Sequence, residues 1–136
     1  MALSNNLAIV IRVEMMLLKS DNTHQCFPRK IERMMNIPQG RIKKVIETCL
    51  DEYVLNGSVS LSGKISENVK SQVKQLVGDR YKVIVEVFVY ENRGQSIRIV
   101  SKCLWDENRD TYMCAEKTCD DGITTMVAVV YCIYFD

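Results

Sequence analysis

Three apolar runs near the end of the chain constrain its fold more than any other feature. They cover residues 83–90, 97–105 and 126–135. A strand with one wet face alternates apolar and polar residues, but the third run, MVAVVYCIYF, does not alternate. Strands of this kind are buried on both faces. The sequence therefore predicts a sheet that is covered on both sides.

Two amphipathic helices are predicted before these strands. Apolar residues recur at helical spacing from Ile42 to Val54 and from Ile65 to Val77. Pro38 suits the first turn of one helix, and Gly78 suits the end of the other. The predicted elements are helices 39–55 and 64–77 and strands 81–90, 95–105, 111–118 and 123–135. This order predicts an α+β fold in which two helices pack on a four-stranded antiparallel sheet, with the polar third strand at an edge.

The N-terminal part of the chain is harder to assign. Residues 7–18 fit a helical stripe and a strand alternation equally well. The helix propensity of Leu, Met and Lys favours helix, and that is our prediction. Residues 22–38 hold both prolines and are predicted to form an extended arm with a helical turn at Lys30–Met35.

Two helices can cover only one face of such a sheet. The other face would be an apolar patch larger than monomers usually expose. Either a second copy of the chain buries it, or the N-terminal 38 residues fold over it. We favour burial in a homodimer, because one self-complementary contact covers both copies.

Composition and charge argue against several classes of protein. A length of 136 residues indicates about one domain, and a net charge of +1 provides no field to attract nucleic acid or a membrane. The apolar segment at 7–18 contains Arg12 and Glu14, so we expect neither a membrane span nor a signal peptide there. Several of the six cysteines fall at apolar positions of predicted elements, which suggests free thiols in a reducing, cytosolic compartment.

The sequence contains no strong pattern for catalysis or metal binding. Cys114 and Cys119 could form a metal site together with His24 and Cys26, but the paired C-x2-C spacing of zinc sites is missing. His24 is the only histidine, so a cysteine nucleophile would depend on a base in the predicted arm. The glycines form no phosphate-binding loop. We therefore expect a protein that is not an enzyme and has no cofactor or metal.

Several motifs resemble those of the Tctex-type dynein light chain family. The segment SKCLWD at 101–106, followed by Asp110, is similar to the family signature S-x-C-x-W-D…D, and YKVIV at 81–85 resembles the opening of its first strand. RGQS at 93–96 resembles its hairpin, and the apolar C-terminal strand also matches. The arm NTHQCFP at 22–28 is similar to that of longer members. The signature positions are Tyr81, Lys82, Cys103, Trp105, Asp106 and Asp110.

The resemblance covers residues 22–136, and it leaves 1–21 as an extension of unknown role. It implies a non-catalytic homodimer that exchanges its second strand, here 95–105. It also implies binding of a short dynein intermediate chain segment as an added β-strand at the dimer interface. Carried onto this sequence, the dimer and peptide-binding positions are Ile97, Ile99, Ser101 and Cys103.

The same resemblance suggests partners and a location. The implied partners are a second copy, the dynein intermediate chain and cargo peptides, without nucleic acid or membrane. The implied location is cytoplasmic and cytoskeleton-associated, in a cilium or flagellum for longer members. A dynein-independent scaffold or regulator using the same dimer groove for another peptide is the alternative, because a fold does not fix its ligand. Trp105 suits either a partner anchor or a core residue at a strand end.

Overall fold

A computed structural model describes residues 10–17, 37–54, 62–95, 97–106 and 108–135; for residues 10–17 and 102–105 it describes the backbone only. The elements are β1 (Val10–Leu17), α1 (Gln39–Val54), α2 (Ser62–Val77), β2 (Tyr81–Glu91), β3 (Arg98–Trp105), β4 (Thr111–Thr118) and β5 (Thr124–Tyr134). The predicted α+β class, with two helices and an antiparallel sheet, is confirmed.

The antiparallel sheet has the strand order β2-β5-β4. β5 is the central strand, and every residue from Thr125 to Cys132 is buried. The last apolar run is therefore covered on both faces, as its lack of alternation predicts. β4 lies at an edge, in agreement with its polar composition.

The two helices cover one face of this sheet. Their apolar stripes pack on alternate residues of β2 and β5 to form the main core. The fully buried helical residues are Ile42, Ile46, Cys49, Leu50, Ile65, Val69 and Val73. Burial of each large aliphatic side chain contributes about 1.5–3 kcal/mol. This layer holds β2 in place against the helices.

Local signals explain where the helices begin and end. The carbonyl of Pro38 accepts hydrogen bonds from the N–H groups of Arg41 and Ile42, at 3.0 Å each, which starts α1. Gly78 has a φ of 78° and donates its N–H to the carbonyl of Lys74 at 3.0 Å, which ends α2. The predicted last residue of the first helix, 55, and the predicted turn at 30–35 lie outside the described residues. No helix in the described ranges is long and apolar enough to cross a membrane.

β3 does not join the antiparallel sheet. It pairs in parallel with β1 to form a separate two-stranded sheet. Within a single chain, the described residues give the antiparallel sheet three strands, and the four-stranded sheet of a strand-exchanged dimer stays a prediction. The turn predicted between β2 and β3 is present, with Gly94 at a φ of 81°, but it does not return β3 onto β2.

The predicted N-terminal helix is wrong, because residues 10–17 form the strand β1. Val10, Ile11 and Val13 are β-branched and favour the extended backbone. Pairing with β3 along the whole of β1 then supplies backbone hydrogen bonds that a weak helix propensity does not outweigh.

The second face of the antiparallel sheet holds a smaller core. Val127, Val129 and Tyr131 are buried there, with Phe88 and Tyr112 packed against them. β3 reaches this face, because the hydroxyl of Tyr131 donates a hydrogen bond to the hydroxyl oxygen of Ser101 at 3.2 Å. β3 is therefore near the sheet without being one of its strands.

Candidate functional site

β2 has a free backbone edge within the described part of the chain. Its neighbour in the antiparallel sheet is β5, and no described strand lies on its other side. The strand is eleven residues long and carries mainly apolar residues. An edge strand of this length and composition is a template for pairing with another strand.

A cleft of about 410 Å³ lies at this edge. Four consecutive residues of β2, Val87 to Tyr90, line the cleft. Successive side chains of a strand point to opposite faces, so a cleft that contacts all four follows the edge and not one face. Ile97 and Ile99 also line the cleft, as does Ser62 at the start of α2.

The structure places two of the four predicted dimer and peptide-binding residues at this cleft. Ile97 and Ile99 line it, and Ser101 contacts Tyr131 on the second face of the sheet. The backbone of Cys103 pairs with that of Met15, and its side chain lies outside the described set, as does that of Trp105. The sequence did not predict the β2 residues of the cleft. Their apolar pattern indicates a strand, but it does not show that the edge of this strand is free.

Burial also governs the ionisation of the cleft tyrosine. Removal of Tyr90 from solvent raises the pKa of its phenol above the ordinary value of 10.0. At physiological pH the phenol is neutral, as it is at its ordinary pKa, so Tyr90 adds no charge beside Ile97 and Ile99.

The two signature aspartates organise the connection between β3 and β4. Asp110 accepts hydrogen bonds from the backbone N–H of Asp106 and from that of Tyr134, each at 2.8 Å. Asp106 accepts one from the N–H of Asn108 at 3.0 Å. Asp110 thus ties the end of β3 to the end of β5. Both carboxylates therefore stabilise the turn between β3 and β4.

The other signature pair lies at the start of β2. Tyr81 is buried, and its ring packs edge-on against Tyr134 with the centroids 5.5 Å apart. Its carbonyl accepts a hydrogen bond from the ammonium group of Lys74 at 2.6 Å, which joins α2 to β2. Lys82 is exposed, with its ammonium 5.3 Å from the ring centroid of Phe135. These residues anchor the strand at the end remote from the cleft.

Comparison with known proteins identifies this arrangement. The sequence model of the Tctex-1 family matches residues 30–134. The chain belongs to the Tctex-1 family. The matched residues of this Tctex-1 chain include both helices, the whole antiparallel sheet and β3, whereas β1 lies outside the match.

Named relatives of this Tctex-1 chain are dynein light chains. It is 32% identical over 100 residues to the human dynein light chain Tctex-type protein 2B, covering 69% of this chain and 70% of the relative. It is 32% identical over 121 residues to the human dynein light chain Tctex-type 5, covering 88% and 66%. Identity to the Xenopus laevis dynein light chain Tctex-type 5-A is 27% over 122 residues, covering 85% and 65%. The last two alignments span about two thirds of the relatives' length.

The described thiols of this Tctex-1 chain are poor nucleophiles where they are buried. Burial raises the pKa of Cys132 to about 11. Burial is also the largest cause of the raised pKa values of Cys49 and Cys119. The thiolate is the reactive form of cysteine, so these shifts suppress reaction at neutral pH. Across the described ranges, no three His, Cys, Asp or Glu residues are grouped as for a metal ion; His24 and Cys26 lie outside those ranges.

Proposed function

We propose that this Tctex-1 chain is a non-catalytic dynein light chain that dimerises by exchanging β3. The proposal rests on the position of β3. This strand is not part of the antiparallel sheet of its chain and lies beside the free edge of β2. An intermediate-chain segment binds as a strand added to β3. The dynein light chain names of the relatives support the assignment to a motor.

Exchange satisfies the backbone of both strands. β3 of one copy pairs with the β2 edge of the other, so each antiparallel sheet gains a fourth strand and its open edge moves from β2 to β3. The second faces of the two sheets then pack against each other. This packing covers Ile84, which is on the second face and is 50% exposed in the single chain.

Strand addition explains how such a dimer binds without a catalytic or charged pocket. After exchange, β3 is the outer strand of the enlarged sheet, and its remaining edge pairs with the ligand. Backbone hydrogen bonds supply the affinity, and pockets for alternate side chains supply the selectivity. The proposed location is the cytoskeleton, in a cytoplasmic or ciliary dynein, with cargo peptides as further ligands.

The proposal predicts the solution mass and one binding activity. Light scattering on the purified chain should give twice 15.6 kDa at micromolar concentration. A fluorescent peptide with the light-chain-binding segment of a dynein intermediate chain should bind to that dimer, and a scrambled peptide should not. A mass of 15.6 kDa would contradict the dimer. A dimer that does not bind the intermediate-chain peptide but binds other peptides would instead indicate a dynein-independent scaffold.

A further inference from the structure

β1 occupies one backbone edge of β3. The two strands pair in parallel without interruption, from Val10 opposite Arg98 to Leu17 opposite Trp105. Every residue of β3 therefore has a register partner in β1. We propose that β1 is a tethered competitor that occupies the peptide-binding edge of β3 until a partner strand replaces it. This inference rests on the proposed function, which makes that edge the ligand site.

The sequence of β1 has the pattern expected of a strand ligand. Ile11 and Val13 are the register partners of Ile99 and Ser101, and the next alternate positions, 15 and 17, are also apolar, as is Met16 between them. Ile99 lines the cleft and Ser101 contacts the sheet. Apolar residues of β1 therefore stand at the register positions opposite Ile99 and Ser101, the β3 residues that contact the cleft and the antiparallel sheet.

Charge follows the same register. Glu14 is the register partner of Lys102, the basic residue in the middle of β3. Opposite charges at directly paired positions favour a strand pair, and like charges disfavour it. From β1 we infer the chemistry of the competing ligand. It is a strand parallel to β3, apolar at alternate positions, with an acidic or neutral residue opposite Lys102.

The chain between β1 and α1 is long enough to permit release. Residues 18–38 separate the two elements, and an extended segment of that length spans up to about 70 Å. β1 can therefore leave β3 while α1 keeps its place on the sheet. A strand tethered in this way acts at an effective concentration of about 1 mM. If β1 binds β3 with an intrinsic Kd of about 10–100 μM, this concentration weakens the binding of a free peptide by about tenfold to a hundredfold.

The test uses proline at two neighbouring positions of β1 in the full chain. The N–H groups of successive strand residues point in opposite directions, so only one of Val13 and Glu14 donates to β3. Proline removes the donor, so one of V13P and E14P should release β1, while the other serves as its matched control. E14Q controls for the charge. Thermal melting followed by circular dichroism should give similar curves for all forms, since α1, α2 and the antiparallel sheet form the main core.

Two fluorescent peptides are then titrated into each form. One carries the intermediate-chain segment, and the other carries residues 8–19 of this chain. We expect the releasing variant to bind both at least tenfold more tightly than the unmodified chain and the control variant do. Equal affinities in all forms would overturn the inference, as would a variant that loses the dimer without gaining peptide affinity. If only the 8–19 peptide binds, and only to the releasing variant, β1 is confirmed as the occupant of β3, and the dynein assignment fails instead.

Discussion

Replacing Ile99 by Asp is expected to convert the dimer to a monomer and to abolish binding of the intermediate-chain peptide. Ile99 lines the cleft beside Val87 to Tyr90. A carboxylate at this position loses its hydration without gaining a hydrogen-bond or ionic partner, and this loss costs several kcal/mol in an apolar site. In the proposed exchange, Ile99 of each copy lies beside β2 of the other copy, so the cost is counted twice per dimer. Light scattering and peptide titration measure the two effects on one sample.

The neighbouring residue provides the control. Val100 is 48% exposed and alternates with Ile99 along β3. V100D adds the same charge one position away, and we expect it to leave the mass at twice 15.6 kDa. If I99D remained dimeric and bound peptide normally, β3 would not be the exchanged strand. If both variants became monomeric, a general effect of charge on β3 would explain the result better than the cleft does.

Replacing Asp110 by Ala is expected to lower the free energy of unfolding by about 2–4 kcal/mol. The side chain is half-buried and accepts hydrogen bonds from two backbone N–H groups, those of Asp106 and Tyr134. Alanine leaves both donors without this acceptor, at a cost of about 1–2 kcal/mol each because the two hydrogen bonds are only partly buried. Urea denaturation followed by circular dichroism gives the change.

D110N separates the hydrogen bonds from the shape of the side chain. Its amide oxygen can accept from one of the two donors, so we expect about half of the loss found for alanine. A change below about 0.5 kcal/mol for D110A would show that Asp110 does not stabilise the junction between β3 and β5. A large change in peptide affinity with unchanged stability would instead place Asp110 in the binding site.

The helices and the antiparallel strands could be predicted because their local patterns agree with their surroundings. The stripe from Ile42 to Val54 has one apolar face, and the helix buries that face. β5 lacks alternation, and it lies buried at the centre of the sheet. In each case, the residues that favour the element also form the core, so propensity and packing lead to the same answer.

The errors arose where pairing between distant segments decides the structure. β1 mixes Leu and Met residues that favour helix with β-branched residues that favour a strand, and its pairing with β3 decides between the two. The sequence at 93–96 suggested a hairpin, but a turn sequence does not determine whether the strands on each side pair. The free edge of β2, and with it the cleft, follows from the same long-range choice. Ile97, Ile99 and Ser101 were predicted through the family resemblance, and their own composition would not have indicated a site.

The central claim is that β3 of one copy pairs with β2 of the other. Nuclear magnetic resonance on a mixed sample of isotope-labelled and unlabelled chains tests it most directly, with filtering for contacts between a labelled and an unlabelled molecule. We predict intermolecular contacts between the backbone protons of residues 82–90 and 98–105. The account would be contradicted if contacts between β2 and β3 occurred only within one chain, or if no intermolecular contact involved β3.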